Sequence, residues 1–294
     1  NSRPVIFQIF DFQSALEVTC PFRTYPTKGA RHRPCCKQTL HLNRTTILER
    51  TLVGTKGEDY AAIRVSATTL GDLLLKGRDV AGDKEALVFP GERKTYNEVA
   101  ASVLRRARGL KALGVKRGDH VGILLPSSIE FVETLFANAM LGAISVLMNA
   151  RYKAPEMAYV AENADLTTIV TNDVVSEHVD FGKRLGEAFP DLASQADART
   201  LHLPEAPLLR RIVMLGGRSA SGFIDQAMFD AAAMTVSDQD IHRTRLTVRI
   251  RDTAMILYTS GTSANPKGCL LSHEAVTREA ANLARYRWAF QHDE

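Results

Sequence analysis

From its second quarter onwards the chain alternates short apolar runs with segments whose apolar residues recur at helical spacing. One such unit begins at Thr95, where Glu98 three residues later completes a capping box. Val99, Val103 and Ala107 then fall on one face of the helix that this box would begin. Strands that alternate with helices form right-handed βαβ units around a parallel sheet. The pattern therefore predicts an α/β fold with layered parallel or mixed sheets and flanking helices.

Apolar runs bounded by turn residues predict strands at residues 86–89, 93–95, 120–125, 143–148, 166–170, 211–215 and 254–257. Helical periodicity predicts helices that begin near Leu70, cover residues 95–114, 127–141, 155–163 and 223–234, and open again at Ser272. Ser127 and Glu130 are the predicted capping box of the helix that ends near residue 141. The stretches 191–207 and 237–247 are predicted to be exposed connections. A solvated helix face is predicted for Arg105, Arg106 and Arg108.

The first 50 residues differ in composition from the rest of the chain and show no sustained periodicity. They hold eight Lys/Arg and three Asp/Glu, out of 37 and 33 in the 294 residues, so the remainder is close to neutral. Because the main part of the chain has no basic excess, we expect no nucleic-acid ligand. Residues 1–60 are predicted to be a poorly structured or non-native tail.

The positions of the cysteines and the lengths of the apolar stretches argue against a metal site and against an integral membrane segment. Three of the four cysteines lie in the tail, and the adjacent Cys35 and Cys36 lack the spacing of zinc ligands. No metal site is therefore predicted, and a reducing, cytoplasmic setting fits best. Cys269, in an apolar run, is predicted to be buried and inert. No apolar stretch approaches the ~20 residues of a membrane helix, so no integral membrane segment is expected.

The run from Tyr258 to Gly268, YTSGTSANPKG, combines hydroxyls, small residues and one lysine between a predicted strand and the last predicted helix. Hydroxyls and exposed backbone N–H groups donate hydrogen bonds without crowding, and a lysine adds a positive charge, which together suit a polyphosphate. The common P-loop pattern does not fit, because Pro266 precedes Lys267 and Gly268 follows it. A turn that only joins a strand to a helix would explain the small residues but not their order.

This run resembles the phosphate-binding signature of the adenylate-forming superfamily, which includes acyl-CoA synthetases, luciferases and nonribosomal-peptide adenylation domains. The usual form is Tyr/Phe-Thr-Ser-Gly-Thr-Thr-Gly-x-Pro-Lys-Gly. The matching residues are Thr259, Ser260, Gly261, Thr262, Pro266, Lys267 and Gly268. Ser263 keeps a hydroxyl where the superfamily has threonine, whereas Ala264 replaces a glycine and resists positive φ. Shorter matches at residues 95–98 and 114–119 extend the resemblance over about residues 65–294.

The resemblance implies that ATP activates a carboxylic acid to an acyl-adenylate, which then transfers its acyl group to coenzyme A. ATP, Mg²⁺ and coenzyme A are the implied cofactors and co-substrates, and the partners are a small-molecule carboxylate and coenzyme A. The residues implied to bind the phosphates of ATP are Thr259, Ser260, Gly261, Thr262, Ser263, Lys267 and Gly268. His273 is a candidate contact to phosphate or substrate, with a structural role as the alternative.

The later motifs of the superfamily would lie beyond residue 294. The resemblance therefore predicts that residues 61–294 are an incomplete amino-terminal adenylation domain. The catalytic residues are expected outside this sequence, so none is assigned here. We expect that this chain alone does not complete adenylation.

Two other interpretations stay open. An amino-acid-activating adenylation domain shares the signature but would be flanked by carrier-protein modules, and none is recognisable in this sequence. A non-catalytic nucleotide-binding or degenerate fragment is the second, and Ala264 and the unusual tail favour it. Thermal stabilisation by ATP without turnover would support this second interpretation. The sequence does not identify the carboxylic acid.

Overall fold

The computed structural model of the protein describes residues 68–176, 179–259 and 266–283. The predicted tail and the predicted boundary near residue 60 lie outside these ranges. The described helices are α1 (Leu70–Ala81), α2 (Tyr96–Ala112), α3 (Ile129–Leu141), α4 (Ala154–Asn163), α5 (Phe181–Ala188), α6 (Gln226–Ala233), α7 (Asp238–Arg245) and α8 (His273–Asn282). The described strands are β1 (Glu85–Phe89), β2 (Glu92–Thr95), β3 (His120–Leu124), β4 (Ile144–Leu147), β5 (Leu166–Asn172), β6 (Val175–Ser176), β7 (Val179–Asp180), β8 (Arg211–Leu215), β9 (Thr253–Thr259) and β10 (Lys267–Ser272).

Six strands form one mixed sheet in the order β10-β9-β4-β3-β5-β8. The five strands from β9 to β8 in this order are parallel, and β10 is antiparallel to β9. Gly122 at the centre of the sheet lies opposite Val146 on one side and Ile169 on the other. The predicted α/β fold with a mixed sheet is confirmed. Because parallel strands end at the same edge of a sheet, Thr259 at the end of β9 lies at the edge where α/β proteins commonly bind ligands.

Helices cover both faces of this sheet and create two hydrophobic cores. Successive residues of a strand point to opposite faces. On β8, Ile212 therefore belongs to the core that includes residues of α4 and α5, whereas Val213 belongs to the core that includes residues of α1, α2 and α3. The prediction of helices flanking a layered sheet is confirmed.

Glu133 on α3 is a buried carboxylate, only 2% exposed, with two cationic partners. Its oxygens lie 2.7 Å from Lys94 Nζ and 2.7 Å from Arg106 Nη2. Burial alone would raise the pKa of Glu133, but Arg106 and Lys94 outweigh burial and hold the pKa below its usual range. The prediction that residues 105, 106 and 108 form a solvated face was therefore wrong for Arg106, although Arg105 is exposed.

Local details of two predicted segments differ from the structure. The side chain of Ser128, not Ser127, caps α3 by accepting a hydrogen bond from the backbone N–H of Phe131. The helix predicted from residue 223 begins later, because the backbone of Ile224 bonds to β8 at Ile212 and Met214. The helix therefore begins at Gln226, after this contact with the sheet.

Two segments predicted to be exposed connections contain buried structure. Residues 237–247 include α7, which a capping box between Ser237 and Asp240 begins. Only Ile241 of this helix is buried, so the sequence shows no apolar periodicity there. Residues 191–207 lack long regular elements, yet Leu201 and Leu203 are fully buried against the second core. Both segments are therefore part of the packed domain.

Candidate functional site

The signature run lies on a β-hairpin formed by β9 and β10. We predicted that a loop would join a strand directly to the last helix, and this was wrong because β10 lies between them. Thr259 pairs with Lys267 at the open end of the hairpin stem, and Tyr258 pairs with Gly268 one step further in. The structure therefore brings three of the predicted phosphate-binding residues together. The others, Ser260, Gly261, Thr262 and Ser263, lie outside the described residues, and their contacts stay predictions.

Thr259 and Lys267 face each other at the point where the stem opens. The Thr259 hydroxyl donates a hydrogen bond of 3.4 Å to the carbonyl oxygen of Lys267. Both residues are exposed, so a hydroxyl and an ammonium group are accessible to solvent at the carboxyl end of β9. An accessible cation beside a hydroxyl is suited to binding an anion.

Gly268 is required by packing within the stem. A Cβ atom at this position would lie 2.9 Å from Cγ2 of Ile256 and 3.3 Å from the ring of Tyr258. A side chain here would force the side chains of Ile256 and Tyr258 to move. The glycine therefore allows the ring of Tyr258 to lie beside the backbone that follows Lys267.

Two phenol groups join helix α4 to β9 and to the residue just before β10. The Tyr159 hydroxyl donates to the carbonyl oxygen of Pro266 at 3.1 Å, and the Tyr258 hydroxyl donates to Oδ1 of Asn163 at 2.7 Å. Burial and the neighbouring phenols of Tyr159 and Tyr152 raise the pKa of Tyr258 to about 12, so this hydroxyl stays protonated. Sequence reasoning missed Tyr159 and Asn163, although their spacing of four residues places them on one face of the predicted helix.

His273 is fully buried at the first position of α8. Its Nδ1 accepts a hydrogen bond from the backbone N–H of Leu70, and no described group bonds to its Nε2. Burial lowers the pKa of His273 to about 4, although the nearby Asp252 carboxylate opposes this effect. This geometry supports the structural alternative for His273 and does not support the predicted contact to phosphate or substrate.

Cys269 on β10 is exposed and carries a free thiol. The prediction that it is buried was wrong, because β10 is the edge strand of the described sheet. Among the described residues, no group of three or more His, Cys, Asp or Glu side chains could hold a metal ion. In the same part of the chain, no helix has the length and apolar character needed to cross a bilayer.

The family described as AMP-binding enzyme matches residues 77–294, which include the whole hairpin. The chain belongs to the AMP-binding enzyme family. This assignment confirms the resemblance to adenylate-forming proteins that the signature run indicated. The described part of the candidate site is therefore the stem of the hairpin that carries the signature run in this AMP-binding enzyme.

Relatives of this AMP-binding enzyme chain include ligases that form acyl-CoA products. The chain is 28% identical over 226 residues to YngI of Bacillus subtilis, covering 74% of this chain and 40% of that protein. It is 29% identical over 225 residues to the long-chain-fatty-acid–CoA ligase FadD13 of Mycobacterium tuberculosis, covering 74% of this chain and 39% of FadD13. The chain thus spans about two fifths of the length of these curated relatives.

Solved structures with the same fold include two CoA ligases. The anthranilate CoA ligase AuaEII, in complex with anthranoyl-AMP, matches with a TM-score of 0.54 and 25% identity, over 73% of this chain and 36% of AuaEII. The long-chain-fatty-acid–CoA ligase FadD1 of Archaeoglobus fulgidus matches with a TM-score of 0.55 and 23% identity, over 76% of this chain and 39% of FadD1. At 23% identity, the similarity to FadD1 supports the fold alone.

Proposed function

We propose that the chain contributes the phosphate-binding part of an ATP-dependent carboxylate ligase of the acyl-CoA synthetase type. One observation carries the proposal: Lys267 is exposed opposite Thr259, at the open end of the β9–β10 stem, in a chain of the AMP-binding family. The relatives named as CoA ligases support coenzyme A as the thiol acceptor. We also propose a cytoplasmic setting, which rests on the few cysteines of the main part of the chain.

The reaction would proceed in two steps. In the first, a carboxylate oxygen attacks the α-phosphorus of ATP, the bond to the β-phosphate oxygen breaks, and pyrophosphate leaves. In the second, the sulfur of coenzyme A attacks the acyl carbon, the bond from that carbon to the phosphate oxygen breaks, AMP leaves and the thiol proton is released. The first step accumulates negative charge on pyrophosphate, so cations and hydrogen-bond donors near the β- and γ-phosphates would lower its barrier.

The residues of the hairpin fit this task. The Lys267 ammonium and the Thr259 hydroxyl would bind the phosphates. The hydroxyls of Ser260, Thr262 and Ser263 are predicted to contribute to the same binding. The backbone at Gly261 and Gly268 would approach them closely because neither residue has a side chain. When bound, Mg²⁺ would neutralise further phosphate charge. The resemblance implies that its protein ligand lies beyond residue 294.

Isotope exchange between pyrophosphate and ATP tests the proposal, because the first step is reversible. A full-length version should incorporate labelled pyrophosphate into ATP only when a suitable carboxylic acid is present. A panel of fatty, aromatic and amino acids would separate the acyl-CoA synthetase from the amino-acid-activating alternative. ATP binding without exchange for any acid would favour the non-catalytic alternative, and failure to bind ATP would contradict the proposal.

A second measurement applies the same binding and exchange assays to the 294-residue chain alone. We expect it to bind ATP without supporting exchange, because the catalytic residues implied by the resemblance lie outside this sequence. Exchange that depends on a carboxylic acid in this chain alone would contradict that expectation, although it would support the proposed reaction itself.

A further inference from the structure

Helix α4 holds the two flanks of the signature hairpin with two side chains that lie one turn apart. The Tyr159 hydroxyl contacts the carbonyl oxygen of Pro266, just before β10, at 3.1 Å. Asn163 accepts a hydrogen bond from the hydroxyl of Tyr258, near the end of β9, at 2.7 Å. The same helix face thus bonds to both sides of the hairpin, within two residues of the segment 260–265.

The contact of Tyr159 acts on the orientation of Lys267. The carbonyl group of Pro266 and the nitrogen of Lys267 belong to one planar peptide unit. A hydrogen bond to this carbonyl therefore restricts rotation of the peptide unit and, with it, the direction of the Lys267 side chain. β10 is an edge strand that pairs with β9 on one side in the described sheet, so a contact from α4 adds a constraint that its pairing does not supply.

Helix α4 is a rigid support for such a contact. Met157 and Val160 on the same helix are fully buried in the second core. A side chain on a packed helix is held more narrowly than one on a loop. The hydrogen bond from Tyr159 therefore restrains the Pro266 carbonyl relative to a helix that is packed into the core.

We propose that Tyr159 is a positioning residue, which holds the peptide unit before Lys267 so that the Lys267 ammonium is directed at the phosphates of ATP. On the other flank, Asn163 accepts a hydrogen bond from the phenol of Tyr258 and restrains that side chain. The inference rests on the proposed function, since it assumes that Lys267 binds phosphate. It assigns to α4, a helix outside the signature, a part in nucleotide binding.

The test is calorimetric titration of the 294-residue chain and its variants with MgATP. Tyr159→Phe removes the hydroxyl and keeps the ring, so we expect a two- to tenfold rise in Kd, roughly the effect of one hydrogen bond. Tyr152→Phe is the matched control. Tyr152 lies near Tyr258 in the same cluster of phenols, but the Tyr152 hydroxyl has no hydrogen-bond partner among the described residues. The Kd of Tyr152→Phe for MgATP should therefore equal that of the wild type.

A double-mutant cycle separates positioning from general stabilisation. If Tyr159 acts through Lys267, Tyr159→Phe should change Kd much less in the Lys267→Ala background than in the wild type. Equal effects in both backgrounds would overturn the positioning role. Equal Kd values for wild type and Tyr159→Phe, with weaker binding by Lys267→Ala, would overturn the inference and leave the proposed function intact. If the wild-type chain does not bind MgATP, the inference fails, whereas pyrophosphate exchange by a full-length version still decides the proposed function.

Discussion

Nδ1 of His273 accepts a hydrogen bond of 3.2 Å from the backbone N–H of Leu70. The two residues are the first residues of α8 and α1, and 203 positions separate them in the sequence. The first N–H groups of a helix have no partner within that helix. His273 supplies an acceptor for one of them inside the protein. It can do so only while Nδ1 carries no proton, so this contact depends on the neutral imidazole.

The stability of the chain should therefore fall with pH between about 6.5 and about 4. Burial lowers the pKa of His273 from 6.5 to about 4, so in this range the unfolded chain binds a proton that the folded chain does not. The contribution of His273 is complete above pH 6.5 and is lost as the pH falls to about 4. It amounts to about 3 kcal/mol. Urea denaturation at a series of pH values would measure it.

His273→Gln should flatten this pH profile, because glutamine does not titrate. The same substitution at exposed His202 should keep the wild-type profile, which controls for the loss of a histidine as such. If both variants lose stability with pH as steeply as the wild type, the buried imidazole is not the cause.

Features that depend on neighbours in the sequence could be predicted before the structure was known. The capping box of Thr95 and Glu98 is formed as expected, because both partners lie within one helical turn. The same holds for the parallel strands, since their apolar runs are short and bounded by turn residues. The signature run also gave the family, because its order of hydroxyls, proline and lysine goes beyond the needs of a turn.

Features that depend on residues far apart in the sequence could not be predicted. Nothing in the sequence near Arg106 indicates that a buried carboxylate 27 residues away will pair with it. Strand β10 was missed because its residues continue the signature run, and only pairing with β9 makes them a strand. The role of His273 likewise depends on the start of α1. Tertiary contacts decided each of these cases.

Replacing Arg106 by alanine should destabilise the chain by about 2 to 3 kcal/mol. The substitution leaves the buried Glu133 carboxylate with Lys94 as its remaining cationic partner, and a buried charge with too few partners is costly. Arg105→Ala is the matched control, because Arg105 is exposed on the same helix and should change stability by no more than about 0.5 kcal/mol. Urea denaturation at neutral pH measures both, and equal effects would contradict the importance of the buried pair.

Two glycine-to-alanine substitutions in helices should have opposite effects. A Cβ at Gly109 on α2 would lie 2.4 Å from the buried ring of Phe229, so Gly109→Ala should cost about 1 to 3 kcal/mol despite the better helix propensity of alanine. A Cβ at Gly186 on α5 would meet no atom within 4 Å, so Gly186→Ala should stabilise by about 0.5 to 1 kcal/mol. Thermal denaturation gives the sign of each effect, and stabilisation by Gly109→Ala would show that α2 and α6 can separate freely.

Lys267→Ala should weaken binding of MgATP by roughly tenfold or more, as expected for losing a hydrogen bond from a charged group. Because Lys267 is exposed, its removal should leave the melting temperature nearly unchanged, so weaker binding could not be attributed to unfolding. Lys76→Ala removes the same charge from an exposed position on α1 and should keep the wild-type Kd. Salt provides a further distinction, since screening weakens the attraction between an exposed ammonium and phosphate. The Kd of the wild type should therefore rise with ionic strength more steeply than that of Lys267→Ala. Equal salt dependence in the two proteins would mean that the Lys267 ammonium does not contact the phosphates.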